Sequence, residues 1–325
     1  MIDLTTNYAG LKLRNPIIIS SSGLTDSVEK IMKLDASGAG AVVLKSLFEE
    51  QIKYETGTFL QTADYPEAED YLRYYVRSNN VDDYLRLIEG AKKNVSIPVI
   101  ASVNCISQSE WTDFSKKIET AGADALELNV YFLPVDKKIT SQSIENLYLQ
   151  IADKVRELIR IPVTIKLGQQ FTNLVNLVDQ LYFREIKGVV LFNRFYSPDI
   201  NIHDQKIISS DVFSTPADIR YSLRWVAILS HFVDQIDLAA STGIHDGKAV
   251  IKQLLAGAKA VQVCSAIYKK GTGLIQEMLS DVESWMKKNS LQIPEQFIGK
   301  MNYGNVKDPA VYERAQFMKY FSSHN

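Results

Sequence analysis

One phrase recurs three times in this chain: SGAGAVV at 37–43, AGADALE at 121–127 and AGAKAVQ at 256–262. Each time an amphipathic stretch runs into a glycine and an apolar run begins three residues later. A helix that stops on a glycine and feeds a buried strand explains the phrase physically, because glycine takes the left-handed conformation that ends helices. Its recurrence makes a helix–strand step the repeating unit, which restricts the fold to the α/β class.

Eight short apolar runs follow that rhythm: NPIIIS from Asn15, AVVLKS from Ala41, PVIASVN from Pro98, ALELNV from Ala125, PVTIKL from Pro162, GVVLFN from Gly188, QIDLAA from Gln235 and AVQVCS from Ala260. They are nearly continuous in apolar residues rather than alternating, as expected of strands buried on both faces of a parallel sheet. Between them lie stretches with apolar residues at three- and four-residue spacing, such as VDDYLRLIEGAKK and IENLYLQIADKVRELI. The expectation is a (β/α)8 TIM barrel formed by residues 1–325 as a single domain, with a doubly wound sheet as the second choice. LTTNYAGLKLRN reads as a hairpin turning at Gly10 and covering the barrel floor. Two segments break the rhythm: a polar and aromatic insertion at 47–80, expected over the mouth, and a tail ending in the helical AVYERAQFMKYF. That helix, with Val311, Ala315, Phe317 and Met318 on neighbouring turns, caps the barrel or joins a homodimer, and the pattern does not separate the two.

Charge narrows the partners. Thirty-six basic residues stand against 38 acidic ones without a long single-sign block, so bulk electrostatics point to neither nucleic acid nor an anionic membrane, and a small-molecule substrate is expected. Cys105 and Cys264 lie far apart and outside any metal-ligand spacing, which fits a reducing cytoplasm and no bound metal. No signal peptide opens the sequence, and the apolar runs fall short of the ~18 residues of a membrane span.

In a barrel everything that follows a strand faces one mouth. The polar residues there are Ser20, Ser21 and Ser22; Lys45 and Ser46; Asn104; Asn129; Lys166; Asn193; Ser241, Thr242 and Gly243; and Cys264 with Ser265. Lysines and asparagines at the ends of apolar strands are costly to bury unless something answers them. Ammonium groups beside carboxamides suit a heterocycle with several carbonyl and ring-nitrogen edges. STGIHDG after the seventh strand and CSAIYKKG after the eighth are small-residue turns where barrels frequently hold phosphate. A phosphorylated heterocycle with lysines placed for redox work is flavin mononucleotide, FMN. Two plainer readings stand beside it: an ordinary loop with Asp246 as helix N-cap, and a phosphosugar aldolase or isomerase using Lys166 as its amine.

These residues resemble the dihydroorotate dehydrogenases. The likeness runs from NYAGLKLRNPIIISSSG through VLKS, ELN, TIKL, LFN, ASTGI and VCSAIYKKG. It implies an FMN-dependent oxidoreductase acting on CH–CH bonds, converting dihydroorotate to orotate in pyrimidine biosynthesis. It further implies that Ser21, Ser22, Lys45, Ser46, Asn104, Asn129, Lys166 and Asn193 surround the isoalloxazine, while Thr242, Gly243, Cys264 and Ser265 grip the phosphate.

The substrate half departs from that family. Its base is a Cys or Ser in a motif Asn-x-Ser-Cys/Ser-Pro-Asn; here the chain reads Asn129-Val130-Tyr131-Phe132-Leu133-Pro134, with Phe132 at the base position. The Asn-x-Met-Gly-Leu/Phe-x-Asn loop is replaced by ADYPEAEDYLRYY. Tyr131, Cys105 and Ser107 are the substitute bases considered, and His245 is expected to be exposed. Loss of the base also favours a second reading, a non-catalytic flavin-binding paralogue with a regulatory role. The lack of a cysteine cluster and of an amphipathic N-terminal arm favours a soluble electron acceptor.

Overall fold

The computed structural model describes residues 2–49, 81–105, 111–195 and 197–313. Most of the 47–80 insertion, Ser107, the end of the tail helix and His324 lie outside the described residues.

The apolar runs become strands β3 (Ile17–Ile19), β4 (Ala41–Val43), β6 (Val99–Cys105), β7 (Ala125–Val130), β8 (Val163–Leu167), β9 (Gly188–Leu191), β12 (Asp237–Ser241) and β13 (Ala260–Val263). All pair in parallel in the order β4-β3-β13-β12-β9-β8-β7-β6, and β4 pairs in turn with β6, closing the ring. A two-residue strand, β5 (Leu47–Phe48), extends the β6 edge. Every residue of β3, β4, β8, β9 and β13 is buried, which is why their sequences do not alternate.

The helices alternate with them: α1 (Val28–Ala36), α2 (Val81–Asn94), α3 (Trp111–Thr120), α4 (Ser141–Leu158), α5 (Leu174–Phe183), α6 (Ile219–Phe232), α7 (Gly247–Ala256), α8 (Ser265–Lys270), α9 (Leu274–Lys288) and a last turn α10 (Ala310–Glu313). The repeated phrase behaves as expected. Gly38, Gly122 and Gly257 end α1, α3 and α7 at φ 96°, 94° and 121°. None of these helices is long and apolar enough to cross a membrane, and no group of three or more metal-ligating side chains occurs among the described residues.

Inside the ring a second core is built from Ile18, Ala41, Val43, Ile100, Ala125, Val190, Ala239 and Ala260, and its four alanines leave room for a plug. The plug is the N-terminal hairpin, β1 (Thr6–Tyr8) with β2 (Leu11–Leu13), which turns at Gly10 with φ 82°. Tyr8 and Leu13 are wholly buried against those residues, and Asp237 accepts a 2.7 Å hydrogen bond from the Ala9 amide. The floor is closed.

One element escapes the sequence pattern. Between β9 and α6 the chain forms an antiparallel hairpin, β10 (Pro198–Asn201) with β11 (Lys206–Ser209). Its strands are almost wholly exposed, Ile200, Ile202 and Ile207 at 64%, 78% and 75%, so no buried face imposes a readable period on it.

Candidate active site

The strand-end residues gather at one end of the barrel. Across the sheet, Asn104 stands in register with Asn129 and Asn129 with Lys166. The Asn193 carboxamide donates to Asn129 Oδ1 at 2.9 Å. On the other flank Ser46 Oγ lies 2.9 Å from Ser21 Oγ and 2.8 Å from Ser102 Oγ, a row of hydroxyls at the ends of β3, β4 and β6. Lys45 precedes Ser46 in that row.

A cavity of about 330 Å3 opens beside them, lined by Ser20, Ser21, Lys166, Asn193, Ser241, Thr242, Gly243, Cys264 and Ser265. Of the other expected residues, Ser22, Lys45, Ser46, Asn104 and Asn129 sit around the same mouth without lining that cavity. Gln262, Arg194, Phe195 and Ser214 line it too, and the strand-end reading does not include them. Arg194 is turned to the backbone, donating to the Asp211 and Val212 carbonyls at 2.7 and 3.0 Å, so it ties the segment after β11 to the rim.

Lys166 is 5% exposed and fully answered on its inner side. Its ammonium donates to Ser20 Oγ at 2.9 Å and to Gln262 Oε1 at 2.8 Å. Gln262 in turn donates through Nε2 to Glu127 Oε2. Glu127 is 1% exposed, and burial pushes its carboxyl above the ordinary carboxylate range against the pull of Lys166 and Gln262.

The two turns form the other wall. Thr242 and Gly243 adopt φ 75° and 83°, and a Cβ on Gly243 would stand 2.2 Å from the Ile219 amide nitrogen, so only glycine lets this turn press against the start of α6. Among the described residues the amides of Thr242, Gly243, Ile244, Cys264, Ser265 and Ala266 donate no hydrogen bond. Open amides converging on a cavity are the donor set an anion needs. Asp246 does cap α7, accepting from the Ala249 amide at 2.8 Å, so the plain reading of this turn and the anion reading hold together. Burial raises the Cys264 thiol, which favours its neutral form in this wall.

His245 corrects an expectation. It is 8% exposed, not solvent-facing, and its Nε2 lies 3.0 Å from Ser214 Oγ. The Ser214 amide donates to Ser265 Oγ at 3.0 Å and Lys269 donates to the Ser214 carbonyl at 3.2 Å, so this group staples the segment before α6 onto both turns. Burial first, then Lys269 and Lys270, hold the imidazole below its ordinary pKa of 6.5. A histidine depressed in the fold binds its proton more readily in the unfolded chain. Its contribution is therefore present above pH ~6.5 and lost as pH falls toward the lower folded value. Thermal melts between pH 8 and 5 will show a loss of stability that His245→Gln lacks; equal slopes for the two proteins would refute this.

The family's base position is apolar. Phe132 and Tyr131 line a separate cavity of about 140 Å3 with Tyr148, Phe171 and Phe195. The Tyr131 and Phe195 rings lie 4.5 Å apart, and Phe195, which lines both cavities, divides this aromatic pocket from the Lys166 cavity. Cys105 is wholly buried and lines neither of these two cavities.

Comparison with known proteins agrees with this geometry. The family model for dihydroorotate dehydrogenase matches residues 3–286. The chain belongs to that family. It is therefore one of the oxidoreductases acting on CH–CH bonds. Among its relatives are the catalytic subunits of dihydroorotate dehydrogenase B (NAD(+)) from three organisms. The one from Thermoplasma volcanium is 27% identical over 308 residues, covering 92% of this chain and 98% of that one. The subunit from Methanocaldococcus jannaschii is 24% identical, covering 90% and 96%. That of Pyrococcus furiosus is 27% identical, covering 89% and 96%.

Proposed function

We propose that the protein is an FMN-dependent oxidoreductase whose flavin lies in the Lys166 cavity, with dihydroorotate or a related small ring as substrate. The observation that carries this reading is the pairing of a buried ammonium with two turns of open amides on one cavity. FMN, when bound, supplies two-electron hydride acceptance. The chain's own groups then have distinct tasks. The amides of the turns after β12 and β13 would hold the phosphate, with His245 keeping Ser214 against them. Lys166 would place a fixed cation at the electron-rich edge of the ring system, where it gains strength from the low dielectric of its surroundings. Asn129 and Asn193, already paired, would orient carbonyl and ring-nitrogen edges. Phe132 cannot take a proton, so the proton acceptor is a group other than the family's, and Tyr131 is the candidate beside it.

The proposal extends to pyrimidine biosynthesis in the cytoplasm with a soluble electron acceptor, and the relatives' names add NAD(+) and work as a catalytic subunit. Residues 1–325 would act as one domain, and the apolar spacing of the tail allows a homodimer. The second reading, a flavin-binding paralogue without this activity, is favoured by Phe132 alone. Purified protein mixed with FMN should turn yellow with a one-to-one flavin content. Colourless protein that takes up no FMN sinks the flavin reading. Stopped-flow mixing with dihydroorotate should bleach the bound flavin, and an unchanged spectrum across dihydroorotate and cyclic enoates would favour the paralogue.

A further inference from the structure

A polar strut crosses the barrel. β7 and β13 stand four places apart in the eight-strand ring, on opposite sides, yet Glu127 on the first and Gln262 on the second meet in its interior. The strut lies between the apolar plug of the floor and the cavity at the mouth, where its far end, Lys166 with Ser20, is exposed to a ligand. Glu127 Oε1 is buried with no hydrogen-bond partner. An acid so placed is costly.

Its effect falls on the amide. Gln262 offers its carbonyl to Lys166 and to the Ser20 hydroxyl, at 2.8 and 3.1 Å, and its NH2 to Glu127. Turned over, the amide would present N–H donors to an ammonium and a carbonyl to a carboxyl oxygen. Glu127 forbids that orientation from the side away from the cavity. We propose that Glu127 and Gln262 are positioning residues for Lys166: the carboxyl fixes the amide, and the amide holds the ammonium at the cavity wall. This deepens the flavin reading of the same site and rests on it.

Glu127→Gln keeps the shape of the side chain but offers a group that can donate or accept, so Gln262 is free to turn. The protein should still bind FMN, and its preference for reduced over oxidised flavin should fall about tenfold, a midpoint potential about 30 mV more negative for a two-electron couple. In a Lys166→Met background the same change should shift the potential by less than about twofold in that ratio, because the group through which Glu127 acts is gone. An unchanged potential in Glu127→Gln, or an equal shift with and without Lys166, would overturn the proposal. If the protein takes up no FMN, the flavin reading fails on its own. The positioning inference is then decided on the free protein by denaturant unfolding of the four variants. A coupling of about tenfold or more in the unfolding constant supports it, and additivity within about twofold refutes it.

Discussion

Lys166→Met will lower the rate of flavin reduction by on the order of 10²-fold, the usual cost of removing one preorganised electrostatic partner from a water-poor site. The protein will remain folded. Methionine fills nearly the volume of the lysine stem, and the cost is that of the partners left without their cation, roughly 1–3 kcal/mol and short of unfolding. The groups left behind can partly answer one another, since the Ser20 hydroxyl already donates to Gln262 Oε1. Lysine at this place is thus a matter of chemistry rather than of structure. Single-turnover reduction followed at the flavin absorbance, with thermal melts of the same samples, checks both halves. A normal rate would remove Lys166 from the mechanism, and a collapsed melt would make it a structural residue.

Gly243→Ala should produce the largest loss of stability and of cofactor binding together. The residue sits at φ 83°, and the new methyl would stand 2.2 Å from Ile219 N and 2.7 Å from its Cα. These are backbone atoms and have no rotamer to change. The left-handed conformation costs roughly 1–2 kcal/mol for a residue with a Cβ, and crowding of this kind another 1–3, so a destabilisation of about 2–5 kcal/mol is expected. To relieve the clash the turn must move off α6, which takes its amides off the cavity. FMN affinity should drop by at least about tenfold, read by fluorescence quenching beside a denaturant titration. A stable variant with normal affinity would show that the turn has another way to sit.

The barrel was legible because two-faced burial writes itself into sequence: eight continuous apolar runs are hard to place except in a closed parallel sheet. The polar mouth followed from position alone. Glu127 and Gln262 were not singled out, although each stands two residues before an expected residue, Asn129 and Cys264, and a period of two puts it on that residue's face. The β10–β11 hairpin was not readable, because its exposed isoleucines carry no inside–outside contrast. Nor was the staple of Ser214, His245, Ser265 and Lys269, whose partners lie 31 to 55 residues apart and meet only through the closed ring. His245 was expected in solvent because its turn is polar, but the segment leading into α6 covers it.

The first and the last strands of the ring are neighbours, Val261 beside Ile17 and Val263 beside Ile19, and the Ser20 amide donates to the Val263 carbonyl. A ribosome therefore releases the first stave of this barrel more than two hundred residues before the last. Until the final one emerges, Lys166 has neither Gln262 nor a Ser20 anchored beside it, and the second set of open amides does not exist. On the proposed flavin reading, loading waits for β13, and nascent chains stalled before residue 260 should emerge without colour.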